Sequence, residues 1–155
     1  MVLVDRGGGG VYDTSVMRLV LDTNVLVSAL MSRRGASFEL LSRVGQGGFE
    51  LALSVALVLE YEDVLLRFGK RLALSPREVR DLLDYLCSVG VHQEIFYLWR
   101  PRLRDPKDEM VLELAVAFRA DAIVTFNGRD FRGAGDLGIR LWTPGQTLTR
   151  IGVRP

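Results

Sequence analysis

Asp22 closes the short run Arg18-Leu19-Val20-Leu21 and opens Asp22-Thr23-Asn24-Val25-Leu26. The run reads as a buried strand, being short, apolar and rich in branched residues. An acid at the carboxyl end of such a strand lies where open α/β sheets place their ligands. Further acids fall at comparable boundaries: Glu60, the Asp105/Asp108 pair and Asp130. Gathered carboxylates repel, at roughly 3 kcal/mol per pair for ~5 Å and an effective dielectric of ~20. A divalent cation commonly neutralises such a cluster. One or two Mg²⁺ or Mn²⁺ ions on these oxygens would activate a water, orient a phosphodiester and stabilise the attacking and leaving oxygens.

Each acid also has a plainer use. Asp22 suits a helix cap, although Thr23 or Asn24 could cap instead and leave it spare. Asn24 can also orient a carboxylate or a phosphate oxygen. Glu60 interrupts the helical face of Leu53, Leu57 and Val64, and a Glu turned inward needs an Arg or a metal beside it. The metal is the favoured partner. Asp108 suits the N-cap of the helix that follows it, and Asp105 could close the turn around Pro106. Asp130 follows the turn signal Asn127-Gly128. Only their joint position at one sheet edge lifts them above these uses.

The elements that must position the acids can be read in order. Strands are expected at Arg18–Leu21, Phe49–Leu53, Ile95–Trp99, Ala122–Thr125 and Ile139–Trp142. Helices are expected at Val25–Met31, Ala36–Val44, from Ser54 to about Phe68, from Ser75 to about Val89, and at Asp108–Arg119. A short turn or helix should follow Thr143-Pro144-Gly145. Ser75-Pro76-Arg77-Glu78 carries a capping-box pattern. Strands separated by helices imply parallel pairing. The fold expected is a single three-layer α/β/α domain with a mostly parallel sheet of four to five strands. Residues 1–16, with the run Gly7 to Gly10, read as a flexible Gly-rich extension, and 17–155 as the domain. The glycine run lacks the Lys-Ser/Thr ending of a phosphate loop.

Composition narrows the classes. The chain has 155 residues, 48% hydrophobic and 25% charged, with net charge +1, which fits one soluble domain. Polyanion binding must then come from local patches: Arg100, Arg102, Arg104 and Lys107, with Arg33 and Arg34 as a smaller group. Each patch reads equally as a solvated basic face. One cysteine, Cys87, excludes an internal disulfide and reads as a packed core thiol. One histidine, His92, excludes a His-rich metal site. No apolar run approaches the ~20 residues that span a bilayer, so a cytoplasmic protein without a membrane partner is expected.

Asp22-Thr23-Asn24-Val25-Leu26, Glu60 in a helix after the second strand, Arg104-Asp105-Pro106-Lys107-Asp108 and Thr125-Phe126-Asn127-Gly128-Arg129-Asp130-Phe131 together resemble the PIN-domain family. The subgroup they resemble is the VapC-like toxin of toxin–antitoxin systems. The similarity runs from about Met17 to Ile151. It implies a Mg²⁺ or Mn²⁺-dependent endoribonuclease with Asp22, Glu60, Asp108 and Asp130 as catalytic acids. Asp105 would join them as a metal ligand, assisting or replacing Asp108. Asn24, Thr125 and Asn127 would support them, although the family often has an acid at the position of Asn127. Arg33, Arg34, Arg100, Arg102 and Lys107 become candidates for RNA phosphate contacts. An antitoxin and a second copy of the chain are the implied protein partners.

Two other readings compete. A PIN-like shape could serve as a non-catalytic RNA- or protein-binding module. A phosphatase of the haloacid-dehalogenase type also begins with Asp at a strand end, but would want a second Asp where this chain has Asn24.

Overall fold

The computed structural model describes residues 2–4, 11–13, 16–95 and 102–153. Strands β1 (Val2–Val4) and β2 (Val11–Asp13) pair antiparallel as a separate ribbon, within the segment expected as a flexible extension. The main sheet holds β3 (Met17–Leu21), β4 (Phe49–Leu53), β5 (Val91–His92), β6 (Ala122–Val124) and β7 (Arg140–Trp142). Its order is β5-β4-β3-β6-β7, with every pairing parallel. The helices are α1 (Thr23–Met31), α2 (Ala36–Ser42), α3 (Val55–Arg67), α4 (Pro76–Val89), α5 (Pro106–Phe118) and α6 (Pro144–Arg150). They flank the sheet to make the expected three-layer α/β/α fold.

Burial explains the centre of the sheet. Leu19, Val20 and Leu21 on β3, and Ala122, Ile123 and Val124 on β6, have no exposed surface. Strands covered on both faces read as continuous apolar runs rather than alternating ones. Helix α5 crosses β3, β4 and β6, while α2 packs between α1 and α6 and α3 packs on α4. The order reverses direction between β3 and β6, so the crevice beyond their carboxyl ends is where such a sheet takes a ligand.

Three expectations need correction. The edge strand is Val91–His92, and Ile95 lies outside any strand; residues 96–99 of the expected Ile95–Trp99 strand lie outside the described residues. Both residues of β5 are exposed, so the strand carries no apolar signature. Its entry is set by Gly90, where a Cβ would meet Leu53 Cδ1 at 2.7 Å and the Leu86 carbonyl at 2.8 Å. Helix α1 starts at Thr23 and is capped by Asp22 itself, whose side chain accepts from the Thr23 N–H. Helix α5 starts at Pro106 with Asp105 as its cap. Proline at the first helical position brings a preset φ and lacks only an N–H that would be unpaired there. Asp108 therefore sits inside the first turn and is not the cap.

Candidate active site

The parallel register builds the site. Leu21 aligns with Val124, the last pair of the β3–β6 ladder. The next residues, Asp22 and Thr125, then stand side by side. The Asp22 N–H donates to the Val124 carbonyl at 2.9 Å, and the Thr125 N–H donates to the Trp142 carbonyl at 2.9 Å. Both residues are buried. Thr125 Oγ1 donates to Asp22 Oδ2 at 2.8 Å and accepts from the Asn127 N–H at 3.0 Å. The Asp22 carboxylate thus has one oxygen on the helix start and the other on Thr125. Asn24 Oδ1 accepts from the Phe126 N–H at 3.5 Å, a long second tie between the two segments.

Helix α3 brings Glu60. Its inner face is Leu57, Tyr61, Val64 and Leu65, all buried. The Tyr61 hydroxyl donates to the Leu21 carbonyl, which fixes α3 over the end of β3. Burial, with the Asp22 charge, raises the Tyr61 pKa well above its usual value, so it stays a neutral donor. Glu60 is next in sequence, with its side chain 14% exposed, and Lys107 Nζ lies 3.4 Å from its Oε1. The inward Glu therefore has a lysine partner, where a metal or an arginine was expected.

Helix α5 and the turn after β6 bring the other acids. Asp22 and Asp108 lie within the fields of the neighbouring acids. Burial raises the Asp22 pKa; hydrogen bonds from Thr125 and Thr23 oppose this, and the charges of Asp130 and Glu60 add to it. Asp108 is raised to about 6, first by burial and then by the charges of Asp22, Asp105 and Asp130. Asp130 is exposed, in a short 3₁₀ turn (Gly128–Phe131) anchored by the fully buried Phe131. Among the described residues, however, no three carboxylates stand close enough together to hold one ion. The donors are all hard oxygens. Mg²⁺ keeps several waters and needs only one or two carboxylates, so the donor chemistry fits such a cation despite that spacing.

A cavity of about 520 Å³ opens beside the acids, lined by Arg102, Leu103, Arg104, Asp105, Asp108, Arg129, Asp130 and Arg132. The sequence patches divide accordingly. Arg102 and Arg104 reach this cavity; Lys107 pairs with Glu60. Arg33 and Arg34 are exposed between α1 and α2, and Arg34 lines a different cleft with Gly145 and Thr149 of α6. Arg100 lies outside the described residues.

Sequence reasoning missed Arg129 and Arg132, although they flank Asp130 directly. It also missed Glu109, which is 8% exposed. Glu109 Oε2 accepts from the Arg102 N–H at 3.1 Å and the Leu103 N–H at 2.7 Å, tying the arginine-bearing loop to α5. A second acid beside Asp108, on the helix's apolar side, was the available signal.

A parallel sheet with carboxylates across its switch point and an arginine-lined cavity beside them places the molecule among the open α/β proteins, whose ligands bind in the crevice at the strand ends. The family model described as PIN domain matches residues 18–129, and the chain belongs to that family. Its fold is similar to two solved structures. One is the crystal structure of VapBC2 from Rickettsia felis bound to a DNA fragment from their promoter: TM-score 0.58 and 19% identity, covering 81% of this chain and 99% of that one. The other is VapBC-1 from nontypeable Haemophilus influenzae: TM-score 0.58 and 17% identity, covering 83% and 99%. No curated relative matches the chain. Among the described residues, no helix is long and apolar enough to cross a membrane.

Proposed function

We propose that the chain is a divalent-metal-dependent endoribonuclease, acting as the toxin of a VapC-like toxin–antitoxin pair in the cytoplasm. The observation that carries this reading is the pair of raised carboxyls, Asp22 and Asp108, held by burial and by neighbouring acids at the switch point, beside an arginine-lined cavity. Membership of the PIN-domain family supports nuclease chemistry. Two similar folds come from VapBC structures, which supports an antitoxin as partner. A homodimer remains part of the reading.

Asp22 and Asp108 would hold Mg²⁺ or Mn²⁺ with water filling the remaining positions; Glu60, Asp105 and Asp130 stand around them, and among the described residues no three of these acids are close enough to share one ion. The ion would supply Lewis acidity toward a phosphodiester and a water of lowered pKa. The chain's own contribution is positional. Thr125 and the start of α1 fix both oxygens of Asp22. Lys107 keeps Glu60 neutralised until another cation takes that role. Arginines of the cavity offer fork-shaped donors suited to phosphate oxygens.

A binding module without catalysis is the second reading. It is favoured by the Lys107–Glu60 pair and by the spacing of the carboxylates. Cleavage of a mixed single-stranded RNA pool, with Mn²⁺, Mg²⁺ or EDTA, separates the two. Metal-dependent cutting by the wild type, lost in Asp22→Asn, is expected. Cutting that persists in Asp22→Asn, or in EDTA, would overturn the mechanism.

A further inference from the structure

Phe126 is an exposed aromatic residue at the end of β6, directly after the Thr125 that bonds Asp22. The three strand residues before it have no exposed surface and Thr125 is buried, yet Phe126 is 49% exposed. Its backbone is held at fixed points. The Thr125 hydroxyl on one side is bonded to Asp22 and to the Asn127 N–H; the Phe126 N–H itself donates to Asn24. On the far side the Asp130 N–H donates to the Asn127 carbonyl at 3.0 Å, and Phe131 is buried completely. One short clamped loop therefore carries an exposed aromatic ring, Arg129, Asp130 and then Arg132, with both arginines in the cavity wall.

An aromatic ring and cationic forks carried on one short loop offer the two contacts that single-stranded nucleic acid uses, with bases stacking on the ring and phosphates on the cations. We propose, on the footing of the nuclease reading, that Phe126 is a stacking platform for an unpaired base next to the scissile phosphate. Arg129 and Arg132 hold the phosphates on either side of that base. Phe126 thereby sets which phosphate of the strand comes to rest beside Asp22.

The discriminating probe is a fluorescein-labelled RNA oligomer and an abasic oligomer of the same length, measured by anisotropy in EDTA so that nothing is cut. Phe126→Ala should weaken binding of the normal oligomer by roughly tenfold and leave the abasic oligomer unchanged. Phe126→Trp should restore the normal affinity, and Phe126→Leu should not. Arg129→Ala and Arg132→Ala should weaken both oligomers equally and flatten the salt dependence. If Phe126→Ala affects both oligomers alike, or neither, the stacking role is overturned while the nuclease reading stands. If the wild type binds neither oligomer but cuts RNA with metal, the inference alone fails. If it neither binds nor cuts, the nuclease reading itself has failed. If Phe126→Ala spares RNA binding but abolishes inhibition by a protein partner, the ring belongs to a protein interface and the proposal is wrong.

Discussion

The Thr125 hydroxyl donates to Asp22 Oδ2 at 2.8 Å, joining the ends of β3 and β6 where the strand order reverses. The two residues lie 103 apart in sequence. Only the parallel register of the central strands makes them neighbours. Thr125→Val keeps the shape but removes this donor and the acceptor for the Asn127 N–H. Leaving those groups unpaired should cost about 1–3 kcal/mol. The bond lowers the Asp22 pKa, so its loss should also raise that pKa and weaken Mn²⁺ binding near neutrality. Thr125→Ser should recover both properties. Urea unfolding and calorimetry check the two effects separately.

The Asp108 carboxyl predicts a pH dependence of the metal-free protein. Its folded pKa is about 6 against an ordinary 3.8. A raised carboxylate pKa contributes stability that is present below the unfolded value and lost as pH rises through the folded one. Asp108→Asn removes the charge, so the variant should gain stability over the wild type as pH rises from below 3.8 to above about 6. Denaturation midpoints across that window measure the difference. A difference that stays flat would mean that the Asp108 charge is opposed neither by burial nor by the neighbouring acids.

Lys107 competes with any ion at Glu60. Its side chain is 54% exposed, so the pair contributes under about 1 kcal/mol to stability. Lys107→Ala should leave the thermal midpoint nearly unchanged and tighten Mn²⁺ binding by about threefold, since a competing positive charge is gone. Weaker Mn²⁺ binding in the variant would show that Lys107 supports the site instead.

Glu109 holds the loop that presents Arg102. Glu109→Ala strips the acceptor from two backbone N–H groups and should cost about 2–3 kcal/mol. It should also weaken RNA binding while leaving Mn²⁺ affinity intact, because the Glu109 carboxylate is turned to the Arg102 and Leu103 N–H groups and is not among the proposed ion ligands. Anisotropy and calorimetry on one preparation read both.

Legibility in the sequence followed burial. Strands β3, β4 and β6 announced themselves because each carries a short buried run of apolar residues, at 19–21, 51–53 and 122–124. Helix α4 did so through Ser75 and Glu78, whose reciprocal cap is present. The edge strand β5 was hidden because two exposed residues carry no pattern, and Gly90's close approach to Leu53 is a tertiary fact. The cap of α1 was left open between Asp22, Thr23 and Asn24, and that of α5 was misassigned to Asp108, because Asp105 and Asp108 both suit a cap and only the helix start decides between them. The Glu60–Lys107 pair spans 47 residues on two helices, which no local spacing encodes. The acids themselves were visible, since charges at the ends of buried strands break the apolar pattern. How they sense one another required the folded sheet.

The central claim is that Asp22 and Asp108 hold a divalent ion at the switch point. Calorimetric titration of Mn²⁺ into the wild type, Asp22→Asn and Asp108→Asn, at a pH well above about 6 where Asp108 is ionised, tests it most directly. The account predicts saturable binding by the wild type and a loss of at least roughly tenfold in each variant. Saturable binding that survives in Asp22→Asn, or no binding by the folded wild type, would contradict it.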